Sequence, residues 1–547
     1  MADPWPFAAP PSGGPSIEVL IAQSLAAREA KQWEACANCA EQVLARQRHH
    51  ELAWVLLCNA LVQLGSLDAD RALADALEAL PAAAPARQIL VVDRARVLAE
   101  RGRWDEALAH VQQAQAFPNL TARQHDIIAS VLAIVGQYED GLTHAERACA
   151  LGDHPLFHYN RATLLRYLGQ AAQAEAAFEE ALKRDGQMSL AYTSLASMRK
   201  WTHDTNHIAR IKAALEIMPA QSHDAARLHH ALFKEHDDLG EPERAWPHLV
   251  QGTQIISTIY TFDAAERNQR VDALIAHYSA AKLASPSPVS VGGPRPIFIF
   301  GLPRSGTTLT ERVLASHSQV VALGETPAML VALKKAAGLA RSDQFEASQV
   351  PAMAQADFAA VARTYQACLA YRTAGAAIMT DKLPQNYEHA GPIHLAFPTA
   401  SLVHVRRAPM DSLFGAHKLL FGEGGYHWSY RFEDLAANYR CYRRLMDHWR
   451  AAMGEVFFEI TLEDLIAAPE REITRLLAHC GLPFEEACLS PHEAKGGVST
   501  ASASQIRRPI NREGVGAWRR YEKQLEPLRA MLEADGFVDR QGDPIWA

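Results

Sequence analysis

The sequence predicts a multidomain chain: an all-α solenoid of repeated helix pairs, then a P-loop-like α/β domain with a central parallel sheet. Three observations predict it. Similar segments recur every 33 or 34 residues through the first half; a Ser/Pro/Gly-rich break spans 285–296; and a short apolar run after that break leads directly into a glycine loop and a helical pattern. With 547 residues the chain is too long for one ordinary core.

The recurrence is explicit. "GRWDEALAHVQQA" begins at Gly102, "GQYEDGLTHAERA" at Gly136 and "GQAAQAEAAFEEAL" at Gly169, and Trp33 and Leu67 are again 34 residues apart. A glycine turn separates two helices in each unit. Alanines such as Ala107 and Ala174 permit close helix approach, and Leu108 and Leu182 are expected to fill the seams. A further unit, "LGEPERAWPHLVQG", begins at Leu239. Residues 15–284 thus resemble the tetratricopeptide (TPR) family, whose period is about 34 residues. The resemblance implies a concave surface that either binds a peptide or protein or pairs two copies in a homo-oligomer.

Composition narrows the rest. The formal net charge of -8 argues against nucleic-acid or anionic-membrane binding. The opening "MADPWPFAAPPSGGPS" has neither a basic start nor an apolar stretch, so residues 1–14 are expected to be a disordered leader rather than a secretory signal. No run of about 18 apolar residues occurs, so no membrane span is expected, and the protein is expected to be cytoplasmic. Cys36 and Cys39 form one C-x-x-C with no second pair at zinc spacing, which reads as helix packing. The 24 histidines show no metal-ligand pattern such as H-E-x-x-H. The segment 285–296 is the expected linker, with the second domain at 297–547.

In that domain Ile297 to Phe300 read as a buried parallel strand, followed by the loop from Gly301 to Thr308 and a helix carrying Leu309, Val313 and Leu314. A helix N-terminus after a glycine loop offers free N–H groups and a positive dipole end to a phosphate. Gly301, Gly306 and Thr308 fit the nucleotide-triphosphate pattern, but Thr307 stands where its lysine belongs. A cation comes earlier instead, as Arg304, whose planar fork suits paired anionic oxygens.

"PRSGTT" resembles the 5′-phosphosulfate loop of sulfotransferases that use 3′-phosphoadenosine 5′-phosphosulfate (PAPS). The resemblance implies donor binding by Arg304, Ser305, Gly306, Thr307 and Thr308. "VVALGETPAML" resembles the Gly-Glu motif of tyrosylprotein sulfotransferases and bacterial repeat-linked relatives, which implies Glu325 as general base; a glutamate near a helix start also complements the dipole. "TDKLPQNYEH" resembles the segment whose lysine, here Lys382, meets the bridging or sulfuryl oxygen. Pro384 stops helical continuation and Asn386 can cap the next helix. "LVHVRRAPMDSLFGAH" resembles the 3′-phosphate site, implying Arg407 as its arginine. The family serine falls on Gly415, a departure from the pattern; the contact then goes to Ser412 or to backbone. Ala408 also replaces the usual acidic or amide residue after the arginine. "STASASQIRRPINREGVGAW" resembles the family's nucleotide lid, with Ser504 and Arg508 at phosphate-binding positions. A strand from Val456 to Ile460 is expected between these segments.

The resemblance covers roughly 294–540 and implies transfer of a sulfuryl group from PAPS, without a metal, to a hydroxyl acceptor such as a peptide tyrosine or a saccharide. Arg304 and Lys382 would stabilise the moving group. The competing classes are a P-loop kinase, against which the missing loop lysine speaks, and a TPR scaffold with a degenerate nucleotide-binding domain.

Overall fold

The computed structural model describes residues 14–284, 286, 289, 291–339, 345–421, 425–494, 496–497 and 506–546. Residues 1–13 of the expected leader, four positions of the expected linker and Ser504 lie outside the described residues. By compactness the chain forms two units, 1–164 and 165–547.

In the first unit helices pair as Ile17–Glu29 with Trp33–Arg46, Glu51–Gln63 with Ala69–Ala79, Ala86–Glu100 with Trp104–Gln115, and Ala122–Ile134 with Tyr138–Leu151. The turn between partners needs a left-handed residue, and Gly102 (φ 71°) and Gly136 (φ 81°) supply it. Just beyond each glycine the chain closes the helix end: Arg103 N–H donates to the Leu98 carbonyl at 2.9 Å and Gln137 N–H to the Leu132 carbonyl at 2.8 Å. Between paired helices lie Ala107, Ala129 and Ala145, all fully buried, so backbones approach closely. Cys36 is likewise fully buried in this packing.

The second unit continues the helical pattern with Ala171–Arg184, Ser189–Ala196, Ile208–Glu216, and the pair His223–Asp238 and Pro242–Ile259. Ala174 and Leu182 are buried there as expected, whereas Leu108 of the first unit is only partly buried.

The sheet belongs to the same unit. Its strands are β1 (Arg295–Phe300), β2 (Val320–Ala322), β3 (Ile378–Lys382), β4 (Ser401–Arg406) and β5 (Phe457–Thr461). They lie in the order β2-β3-β1-β4-β5, all parallel. The register sets Ile297 opposite Thr380 on one side and Ser401 on the other. Alternation sends the two residue types of β1 to opposite faces. Ile297 and Ile299 pack with Val313, Val403, Val405 and Ile460. Phe298 meets Tyr365 and Phe397, with ring centres 5.6 and 6.0 Å away, and Phe300 meets Phe457 at 5.7 Å. Burying each such side chain contributes about 1.5–3 kcal/mol. β1 is central, and the chain returns to either side of it, so the carboxyl ends of β3, β1 and β4 border the switch point where such sheets hold ligands. β5 covers the expected Val456–Ile460 strand, shifted by one residue. No helix among the described residues is long and apolar enough to cross a membrane.

Candidate active site

The loop after β1 is shaped by close approaches. A Cβ on Gly301 would overlap the Val405 carbonyl oxygen, and one on Gly306 (φ 104°) would lie 2.8 Å from Leu462 Cδ1. Glycine is therefore required at both ends of the loop. Arg304 itself holds φ at 67°, a left-handed conformation uncommon for a residue with a side chain. The helix Thr307–Ala315 begins directly after Gly306 and carries Thr307 and Thr308 in its first turn.

These residues open onto a cavity of about 450 Å³ lined also by Glu325, Arg407, Gly415, Lys418 and Arg508. Seven of the sequence-predicted donor residues meet there: Arg304, Gly306, Thr307, Thr308, Arg407, Gly415 and Arg508. Ser305 and Ser412 do not line it; they face a small void behind the loop, and Ser412 donates to the Pro303 carbonyl at 3.2 Å. Gly415 packs on Arg304: a Cβ there would stand 3.0 Å from Arg304 Cβ. Arg508 pairs with Glu513 at 2.9 Å on the exposed rim.

The cations crowd one another. Burial, with the neighbouring Arg407, lowers the pKa of Arg304 to about 10. Burial also lowers that of Arg407, against the pull of Asp411 and Glu463. Arg407 donates to the Arg304 carbonyl at 2.6 Å and to the Gly514 carbonyl, so it ties the loop to the C-terminal segment. Lys418, which sequence reasoning passes over, lines the same cavity; burial, opposed by Asp237 and reinforced by Arg304 and Arg407, brings its pKa down to about 8.

On the other side of the loop, Lys382 ends β3 fully buried, and its Nζ lies 2.5 Å from Glu325 Oε1. Glu325 is held through its neighbours. Gly324 N–H donates at 2.9 Å to Glu311 on the loop's helix, which also accepts from the Thr380 hydroxyl at 3.0 Å. The Gly324 carbonyl accepts from Lys382 N–H at 2.9 Å. Burial raises the pKa of Glu311, and Lys382 opposes the rise. Asp381, fully buried beside Lys382, accepts from Tyr365 Oη at 2.8 Å and Asn386 Nδ2 at 3.0 Å. The expected capping by Asn386 is thus replaced: it sits within the short helix Pro384–His389 and its amide serves Asp381.

Sequence reasoning missed Glu311, Asp381 and Lys418. For Glu311 the available signal was a lone acid on a helix otherwise carrying Leu309, Val313 and Leu314 inward; for Asp381, an acid inside a strand pattern.

Residues 296–486 match the model of the sulfotransferase family. The C-terminal region carries a sulfotransferase-family domain. A protein of Aquifex aeolicus described as uncharacterised is 30% identical over 320 residues, 57% of this chain and 41% of that protein. Protein-tyrosine sulfotransferase 2 of Gallus gallus is 22% identical over 242 residues, 41% of this chain and 62% of that one. The matched regions therefore span less than two thirds of either relative. Among solved structures, the sulfotransferase domain of the Synechococcus olefin synthase is 18% identical, covering 43% of this chain and 98% of that domain with a TM-score of 0.28. A TPR protein of Thermus thermophilus is 19% identical, covering 34% of this chain and 98% of that one with a TM-score of 0.29.

Proposed function

We propose that the protein is a PAPS-dependent sulfotransferase acting on a hydroxyl acceptor, with the transferase in 297–547 and the TPR-like region of 15–284 serving protein interaction, in the cytoplasm. The observation that carries the reading is the 2.5 Å contact between buried Lys382 and Glu325, which lines a cavity shared by Arg304, Arg407, Lys418 and Arg508 with the acids Asp411 and Glu513.

The residues suit a nucleotide with several anionic groups. Arg304 and Arg407 are pressed together, and Arg407 Nε is buried with no hydrogen-bond partner among the described residues. Such a cluster gains from an anion that neutralises it. Arg304, Thr307, Thr308 and the helix N-terminus would hold the 5′ side, and Arg407 and Lys418 the 3′-phosphate. When bound, the donor supplies a sulfuryl group already activated by its phosphate leaving group. Glu325, which lines the cavity, would take the proton of the acceptor hydroxyl, and Lys382, buried behind it and paired with it, would supply the ammonium that offsets negative charge developing nearby.

Titration calorimetry with 3′-phosphoadenosine 5′-phosphate (PAP) and with ATP tests the donor, and labelled sulfate transfer from PAPS tests the reaction. Binding of PAP over ATP with transfer lost in Glu325→Gln is expected. Preference for ATP, or full activity of Glu325→Gln, would overturn the reading.

A further inference from the structure

Glu325 borders a second cavity. This one, of about 480 Å³, shares only Glu325 and Tyr426 with the donor cavity among the described residues. One wall comes from the sheet domain. The opposite wall comes from chain preceding the sheet, the helix Ala264–His277 and its N-cap Asp263.

Its charge is one-sided. Asp263, Glu266, Glu346 and Glu388 line it in addition to Glu325, and among the described residues the only arginines or lysines lining it are Arg267 and Arg270. Both arginines are committed within the protein. Arg267 is fixed by Glu388 at 2.6 Å, Tyr387 Oη at 2.6 Å and Asn438 at 3.1 Å. Arg270 lies 3.4 Å from both Glu266 and Glu388 and donates to the Phe345 carbonyl. Each already faces a carboxylate of the cavity, so neither offers an unneutralised charge to an acidic ligand.

A second observation points to a ligand that donates hydrogen bonds. His389 is 4% exposed and lines the cavity, yet its Nδ1 lacks a hydrogen-bond partner among the described residues. Burial brings the His389 pKa down to about 4, so the imidazole is neutral near pH 7, and Nδ1 accepts in the tautomer that carries the proton on Nε2. A buried acceptor left unmatched destabilises the empty site. Phe262, Phe345 and Tyr426 line the same cavity half-buried and add apolar surface that suits an aromatic or alkyl-ammonium group.

We propose that this cavity receives the acceptor, and that Asp263, Glu266 and Glu346 make it select a peptide hydroxyl flanked by lysine or arginine and reject one flanked by acids. The inference rests on Glu325 as the base. It adds a specificity filter partly built from the helical region rather than from the sheet domain.

The test uses the full chain at saturating PAPS and three peptides of equal length, with a tyrosine flanked by lysines, alanines or glutamates. Sulfate transfer to the lysine peptide is expected to exceed that to the glutamate peptide at least 10-fold in kcat/KM, mostly through KM, with added salt narrowing the gap. The double variant Glu266→Gln and Glu346→Lys should shrink or reverse that ratio by about 10-fold while leaving PAP affinity unchanged; glutamine keeps the oxygen that Ala347 N–H uses at 2.9 Å. Failure of PAP to bind defeats the donor reading itself. PAP binding with acidic peptides preferred, with no peptide sulfated, or with the ratio untouched by the double variant overturns this proposal alone.

Discussion

Lys382 has no exposed side-chain surface while Glu325 keeps 38% of its own, although their charged atoms lie 2.5 Å apart. The ammonium is fixed by the sheet, and the carboxylate stands at the open end of the pair. Replacing the acid therefore affects two things differently. Glu325→Gln keeps an oxygen for Lys382 but cannot take a proton, so turnover should fall about 10²–10⁴-fold with little change in melting temperature. Glu325→Ala should lower both, because a buried ammonium loses its partner. Labelled transfer assays and thermal melts of the two variants check this; equal melting of both would show that the pair does not hold the lysine.

Lys418 gives a proton-linked prediction. Its pKa of about 8 reflects burial, with Asp237 opposing and Arg304 and Arg407 adding to the fall. A bound polyanion favours the charged form and raises that value. Between pH 8 and 9, PAP binding should take up protons, and affinity should weaken as pH rises past 8. Calorimetry in buffers of different ionisation enthalpy measures the uptake, which Lys418→Met should abolish.

Asp381 links the site to stability. Burial raises its pKa to about 7, and the hydrogen bonds from Tyr365 and Asn386 only partly oppose that. A carboxyl raised in the folded state contributes stability below its ordinary value of 3.8, and that contribution is lost as pH climbs through about 7. The parent should therefore lose stability relative to Asp381→Asn between pH 5 and pH 8. Urea unfolding of both proteins at the two pH values checks this, and parallel curves would contradict it.

At Gly415 the resemblance suggests a serine, but the packing disfavours one. A Cβ would stand 3.0 Å from Arg304 Cβ. Gly415→Ser should cost about 1–3 kcal/mol of stability and weaken PAP binding by displacing Arg304. Tighter PAP binding by the variant would show that the loop yields to the new side chain.

The loop and strand tips were legible in the sequence because local pattern determines them: an apolar run becomes β1, glycines with special backbone demands come next, and a helix starts at Thr307. Arg304, Lys382 and Arg407 sit at loop or strand-end positions where parallel sheets hold ligands, and the resemblance of the Gly-Glu segment added Glu325. Glu311, Asp381 and Lys418 were not legible, since a charge on a helix or within a strand reads as solvated until the tertiary partner is known. The resemblance implied donor contacts for Ser305 and Ser412, while the loop's left-handed turn at Arg304 and the helix after β4 put both by the smaller void. The 34-residue recurrence likewise revealed helix pairs but not that the later pairs would cohere with the sheet.

The strand order has an implication for how such an enzyme diversifies. Glu325 comes after the edge strand β2, Lys382 ends β3, the phosphate-type loop leaves β1 and Arg407 leaves β4, so the strand order sets the proposed base at one end of the line and the cations at the other. In the proposed enzyme, replacements beyond the β2 terminus would change the acceptor without disturbing the cations Arg304 and Arg407 at the far side of the sheet.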